Sequence, residues 1–197
     1  YPPIGHRSVA GAQPMLDFSY NKNTCRFHLV IESIETLCLT KISRTEYLNK
    51  TKREREIEAK ENLLQHIHPK SHSCYNSYGA PYISNGKAVS LSHSRELLAY
   101  ISANKLAAVD LEPITFKAYQ IRNKFLSQEE LNLAKDNKIA TLMWCAKECL
   151  YKIHQKGKLI FNEDLKIHNI SKKQIECSIL NRQYLLNYEK FKEHWLV

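Results

Sequence analysis

No apolar run in this 197-residue chain approaches the length of a membrane span or of a signal-peptide core, so neither a membrane-embedded nor a secreted protein is expected. Its six cysteines (25, 38, 74, 145, 149 and 177) form no Cys-x-x-Cys pair and no regular framework, and a chain of this length needs no disulfide staples; reduced thiols in a cytoplasm follow. No clean internal repeat is present. Acidic residues are scarce relative to basic ones: 20 Asp and Glu against 29 Lys and Arg leave a net charge of +9 and a pI near 9.2. Such a surplus draws polyanions, whether nucleic acid, anionic lipid, a phosphorylated cofactor or an acidic protein, and does not choose among them. With 43% hydrophobic and 25% charged residues the chain is an ordinary globular one, of one domain or two small ones, and not disordered.

The chemistry concentrates between Ser90 and Lys152. Asp110 and Glu112 are two apart after the apolar run Leu106-Ala107-Ala108-Val109, and strand geometry sends both carboxylates out of one face. Glu148 and Lys152 are four apart in a segment of helical spacing without Gly or Pro, so they sit on one helix face. If that helix packs on that strand, three carboxylates meet. Like charges repel strongly at low dielectric, so a cation is expected between them, and all-oxygen ligation points to magnesium or manganese.

In chain order, residues 1–16, with Pro2, Pro3, Gly5, Gly11 and Pro14, read as a loosely held arm with Met15 as a candidate start. Cys25 to Ile31 reads as a strand, Glu32 to Leu39 as a helix, and Ser43-Arg44-Thr45-Glu46 as a capping box opening another helix. Lys50 to Ile67 predicts a long, charged helix with a single apolar stripe of Ile57, Leu63, Leu64 and Ile67. Residues 69–89 are loop-rich, with a short extended piece at Tyr82-Ile83. His66, His68, His72 and Cys74 there match no structural-zinc spacing and read as solvated side chains. Ser90 to Leu111 predicts a hairpin turning at Ala103-Asn104-Lys105, with its second strand ending in Asp110-Leu111-Glu112. Phe116 to Phe125 has helical spacing, Ser127 to Glu130 is a second capping box, and the helix from about Ile139 to His154 stops near Gly157. Leu165 to Ile170 and Glu176 to Leu180 read as strands, and Gln183 to Trp195 as one or two more.

Gly79-Ala80-Pro81, Val89 to Ser94, Ala108 to Glu112, Phe125 to Glu130 and Trp144 to Lys152 occur in an order and at intervals that resemble the 4'-phosphopantetheinyl transferase superfamily, over roughly residues 79–161. The chain is similar to the surfactin-synthetase-activating type, in which two similar halves share one chain. The resemblance implies an α+β fold of two such subdomains forming a pseudo-dimer, residues 17–105 and 106–197, with the metal site in the second and a monomer as the working form. It implies Mg²⁺-dependent transfer of the phosphopantetheine arm of coenzyme A to a serine of an acyl or peptidyl carrier protein, releasing 3',5'-ADP. Asp110, Glu112 and Glu148 would then hold the metal, Lys152 would meet the phosphates, and Ser92, His93 and Lys60 would contact coenzyme A. Glu148 or Glu130 would be the general base. The chain departs from the family where a lysine often precedes Pro81: Ala80 stands there, with Lys70 or Lys87 as substitutes. Ala108 replaces the glycine expected before Val109-Asp110.

Each of these residues also has a plainer role. Glu130 completes a capping box with Ser127, Glu148 with Lys152 is a common surface ion pair, and Cys145 with Cys149 reads as a pair of packed thiols on the buried side of the helix. Ser92-His93-Ser94 has no Gly-flanked elbow, and adjacent residues cannot form a hydrolase triad. A metal-dependent nuclease would also use acids and a lysine, but there the acid and lysine usually sit two apart on a strand. A basic nucleic-acid-binding protein would interleave its cations with exposed aromatics, whereas residues 50–61 alternate Lys or Arg with Glu and have no aromatic. The functional reading expects neither nucleic acid nor membrane as a partner.

Overall fold

The computed structural model describes residues 16–197, so the N-terminal arm expected at residues 1–16 lies, Leu16 apart, outside the described residues. The architecture is α+β. Strand β1 (Tyr20–Asn23) leads to β2 (Phe27–Ser33), followed by helices α1 (Ile34–Leu39), α2 (Arg44–Asn49) and α3 (Lys52–Ile67) and strands β3 (Ser73–Tyr75), β4 (Pro81–Ile83), β5 (Ala88–Ser94) and β6 (Leu97–Ala103). These strands form one antiparallel sheet in the order β1-β2-β6-β5-β4-β3.

Both faces of that sheet are covered, which is why Leu29 to Glu32 is a continuous buried run rather than an alternation. One face packs Val30, Val89, Leu98 and Tyr100 against Leu37, Ala59 and Leu63 of the helices. The other packs Leu29, Ile31, Leu97 and Ala99 against Val109, Leu111 and Leu196 from the second part of the chain. Helix α3 begins at a capping box, Thr51 with Glu54, that answers the orphan amides of its first turn.

The second part consists of β7 (Leu111–Pro113), α4 (Phe116–Gln120), a 3-10 turn at Arg122–Lys124, α5 (Gln128–Leu131), α6 (Asn137–His154), and strands β8 (Leu165–Ile170), β9 (Gln174–Ile179), β10 (Arg182–Asn187), β11 (Glu189–Phe191) and β12 (His194–Leu196). They form two antiparallel three-stranded sheets, β10-β9-β8 and β11-β12-β7. Helix α6 is the spine: Leu142, Met143, Ala146 and Leu150 pack on Leu165, Ile167, Ile175 and Cys177. Cys145 and Cys149 are buried thiols that donate to the carbonyls of Trp195 and Val197, holding the C-terminal strand on the helix.

The hairpin predicted to turn at Ala103-Asn104-Lys105 turns instead at Arg95-Glu96, between β5 and β6, with Ser94 opposite Leu97. Arg95 takes φ 53° there, and Leu180 and Lys192 take φ 53° and 51° in the β9–β10 and β11–β12 turns. The turns at Arg95-Glu96 and Lys192-Glu193 carry no Gly, Asn or Pro signal to read, whereas the β9–β10 turn has Asn181 beside Leu180. Asn104 and Lys105 lie instead on the crossing from β6 to β7, which belongs to another sheet. Helix α6 starts at Asp136, whose carboxylate accepts from the Ile139 amide, and stops at Gln155 in the left-handed conformation (φ 57°), two residues before Gly157. Residues 182–196 hold three short strands rather than one or two.

Candidate active site

Asp110 sits where the two parts of the chain meet. Its backbone amide and carbonyl pair with those of Val197, each at 3.0 Å, which extends β7 by one rung and turns the Asp110 side chain toward β5. Two serines of β5, two apart and therefore on one strand face, receive the crossing chain: Ser90 Oγ accepts from the Val109 amide at 3.1 Å and Ser92 Oγ from the Leu111 amide at 3.1 Å. Ser92 Oγ in turn donates to Asp110 Oδ1 at 2.9 Å. Lys152 Nζ, from the last turn of α6, donates to the same Oδ1 at 2.8 Å and to the Val109 carbonyl at 2.8 Å. The second oxygen, Oδ2, is buried without a hydrogen-bond partner.

Glu112 and Glu148 share this environment. Burial pushes the Glu112 carboxyl up to about 7, and the neighbouring Asp110 charge adds to it; the Trp144 indole, whose Nε1 donates to Glu112 Oε1 at 3.2 Å, and Lys152 pull the other way. Burial, then Asp110, also raises Glu148, with Lys152 opposing. For Lys152 burial works to lower the pKa, but the Asp110 carboxylate bonded to it, with Glu148 adding to the effect, outweighs burial, so the ammonium is held above its usual value. Asp110, Glu112 and Glu148 thus act on one another and on Lys152 electrostatically, but they do not meet as the sequence spacing led one to expect. Among the described residues, no three Asp, Glu, His or Cys side chains already stand close enough to hold a metal ion. The donor chemistry nevertheless suits a hard divalent cation: all oxygens, one of them buried and unpartnered.

The other expected site residues separate into two groups. Lys60 joins Lys152 in lining a cavity of about 330 Å³ between the two parts, with Gly79, Ala80, Ser90 and Tyr151 also on its wall. Its ammonium bonds the Tyr75 hydroxyl and lies 4.6 Å from the centre of that ring, and burial lowers its pKa. Ala80, where a lysine was expected, does face this cavity, while Lys70 and Lys87 are not on its wall. A larger cavity, about 760 Å³, is walled mainly by apolar residues such as Phe27, Ile153 and Leu186, and none of Asp110, Glu112, Glu148 or Lys152 reaches it.

Three expectations are corrected by the geometry. Ser92 is not free to bind a phosphate, because its hydroxyl is used in both directions between Asp110 and Leu111. His93, the next residue along β5, points to the opposite face; it is largely exposed, and its Nε2 lies 3.6 Å from Glu56 of α3. Glu130 is outside the acid cluster and buried. Its Oε2 accepts from Lys147 Nζ and the Ser127 amide, both at 2.7 Å, and its Oε1 from the Ile167 amide at 2.7 Å, so neither oxygen is available as a base. The histidines near α3 form no zinc cluster either: His68 is buried and bonded to the Tyr100 hydroxyl rather than solvated, and His66 packs edge-on to Phe18.

Sequence reasoning missed Ser90, Trp144 and Lys147. Lys147 has 0% exposure and donates to the Phe125 carbonyl, the Phe161 carbonyl and Glu130. A lysine in a charged-looking helix segment gives no sign of burial. The three-residue spacing from Trp144, which places both on one side of α6, was the available clue.

Residues 107–196 match the model of the 4'-phosphopantetheinyl transferase superfamily, a segment that holds Asp110, Glu112, Glu148 and Lys152 and supports that superfamily. The match spans slightly under half of the chain. No curated protein matches the chain significantly. No helix among the described residues is long and apolar enough to cross a membrane.

Proposed function

We propose that the protein moves the 4'-phosphopantetheine arm of coenzyme A onto a serine hydroxyl of an acyl or peptidyl carrier protein, with Mg²⁺, releasing 3',5'-ADP. In this reading it is a cytoplasmic monomer in which residues 17–105 and 106–197 act as the two halves of a pseudo-dimer. The Asp110 carboxylate is the main support: it is buried where the halves meet, fastened through Oδ1 by Ser92 and Lys152, with Oδ2 unsatisfied. An unpartnered buried oxygen costs about 1–3 kcal/mol, more when charged, and a bound cation relieves it. The superfamily match over the same residues gives that cation a purpose.

Asp110, Glu112 and Glu148 would hold the Mg²⁺, which when bound neutralises charge on the pyrophosphate and makes its phosphorus easier to attack. The chain's own residues do the rest. Lys152 and Lys60, on the wall of the smaller cavity, place two cations where the phosphates of coenzyme A would lie. Glu148, held above its ordinary pKa by burial and by Asp110, takes the proton of the acceptor serine directly or through a water. As that proton leaves, the serine oxygen forms its bond to the phosphorus of the pantetheine arm, and the bond to the 3',5'-ADP oxygen breaks. Ser92 keeps Asp110 in place, and Glu130 acts only through the packing around Lys147.

The reaction is tested by chromatographic detection of 3',5'-ADP after coenzyme A, Mg²⁺ and an apo carrier protein are mixed with the enzyme. Nucleotide release that requires both carrier and metal supports the assignment. Absence of release with carriers of both acyl and peptidyl type contradicts it.

A further inference from the structure

We propose that Trp144 is a positioning residue for Glu112, and that the buried Lys147–Glu130 pair builds the slot that holds the Trp144 indole. The assignment rests on the metal reading given above. The indole Nε1–H donates to Glu112 Oε1 at 3.2 Å. The ring is bracketed by Phe125, edge-on with centroids 5.0 Å apart, and by Phe161, tilted by 32° at 5.6 Å. Those two residues are also the ones whose backbone carbonyls accept from Lys147 Nζ, each at 2.8 Å. The third Lys147 proton goes to Glu130 Oε2 at 2.7 Å, and Glu130 fastens the start of α5 through the Ser127 amide and β8 through the Ile167 amide. One turn of α6 therefore presents the indole through Trp144, fixes both of its aromatic walls through Lys147, and presents the carboxylate of Glu148 beside them.

A buried ion pair is a costly way to join these segments, since well-packed apolar side chains of similar size are commonly as stable. What apolar residues would not supply is direction, because an ammonium with three acceptors fixes both flanking backbones relative to the helix. The chain's other tryptophan provides the contrast. Trp195 Nε1 donates to the Lys138 carbonyl at 2.8 Å, an ordinary backbone partner, whereas Trp144 is aimed at a carboxylate next to Asp110. Carboxylates that bind metals depend on partners of this kind to orient them, and losing one typically costs about 10-fold to 100-fold in metal affinity.

The test is Mn²⁺ binding to the isolated protein, followed by electron paramagnetic resonance of the free ion, so that no turnover is needed. Trp144→Phe keeps the ring in its slot and removes the donor; it should weaken Mn²⁺ binding about 10-fold, with Trp195→Phe unchanged. In a Glu112→Gln background the Trp144→Phe change should cost nothing further. Equal affinity of Trp144→Phe and wild type, or the same loss with and without Glu112, would overturn the assignment; the second result would mark a purely structural role. A wild-type protein that binds no Mn²⁺ removes the metal reading itself, and this assignment with it. Because the chain has only two tryptophans, the wild type gives a check that does not depend on a variant folding. On Mg²⁺ addition the indole ¹H–¹⁵N resonance of Trp144 should shift and that of Trp195 should not; two unmoved resonances would count against the proposal.

Discussion

Ser92 Oγ lies 2.9 Å from Asp110 Oδ1 and at the same time accepts the Leu111 amide at 3.1 Å, so a single hydroxyl sets both the strand that carries the acid and the rotation of the acid itself. Ser92→Ala leaves the Leu111 amide without its partner and releases one restraint on Asp110. The expected outcome is a stability loss of about 1–3 kcal/mol and a transfer rate lower by about 10-fold or more. Thermal unfolding and steady-state rates check both; a variant with wild-type rate would show that Lys152 alone orients Asp110.

The Glu130–Lys147 pair makes a sharper stability prediction. Both side chains are buried, so Glu130→Gln or Lys147→Met alone leaves a charge or its bonded partners stranded, at about 3–5 kcal/mol. The Glu130→Gln/Lys147→Met double variant should cost clearly less than the two single losses added together, as read from denaturant unfolding midpoints. Strict additivity would mean that the two groups are not coupled.

Glu112 makes the metal-free protein pH-sensitive. Its carboxyl is shifted from 4.5 up to about 7 in the fold, so between those values the native state binds more protons than the unfolded state, and stability falls as pH rises through that window. Wild type and Glu112→Gln should therefore be most alike at the acid end. The variant should gain on wild type up to about pH 7, with the difference constant above it. Melting temperatures in a chelator across this range check the sign; a gap that narrows with rising pH contradicts it. Mg²⁺ should stabilise wild type more at pH 8 than at pH 5, because only the deprotonated acids bind it.

Ala80 stands on the wall of the cavity that Lys60 and Lys152 share. Ala80→Lys should tighten coenzyme A binding a few-fold, corresponding to about 1 kcal/mol for a partly exposed charge pair, and less so at high salt. Titration calorimetry at two ionic strengths tests this. Unchanged affinity would place the phosphates elsewhere.

Much of this site is legible in the sequence because it depends on local spacing. The four-residue step of Glu148 and Lys152 lies on one helix, α6, and Lys152 bonds Asp110, with Glu112 and Glu148 within electrostatic reach; the meeting of three carboxylates read from the spacing is not formed among the described residues. The Ser127–Glu130 capping box is present as read. What was not legible depends on long-range packing or on conformations without a residue signature. Alternation along β5 was enough to separate Ser92 from His93, yet only tertiary structure shows that Ser92 is occupied by Asp110. Glu130 reads equally as cap or base until Ile167, 37 residues on, is seen to take its second oxygen. Nothing local to Lys147 marks it as buried, since its three acceptors, from Phe125, Glu130 and Phe161, come together only in the fold. Arg95 hides a hairpin turn because its positive φ comes without glycine.

The most direct measurement is the intact mass of an apo carrier protein after incubation with this protein, coenzyme A and Mg²⁺, beside a metal-free control and the Asp110→Ala variant. The account predicts a gain of one phosphopantetheine arm with wild type and metal only, and no gain with Asp110→Ala although that variant keeps its fold by circular dichroism. A full gain with Asp110→Ala, or an unmodified carrier in every reaction with wild type, would contradict it.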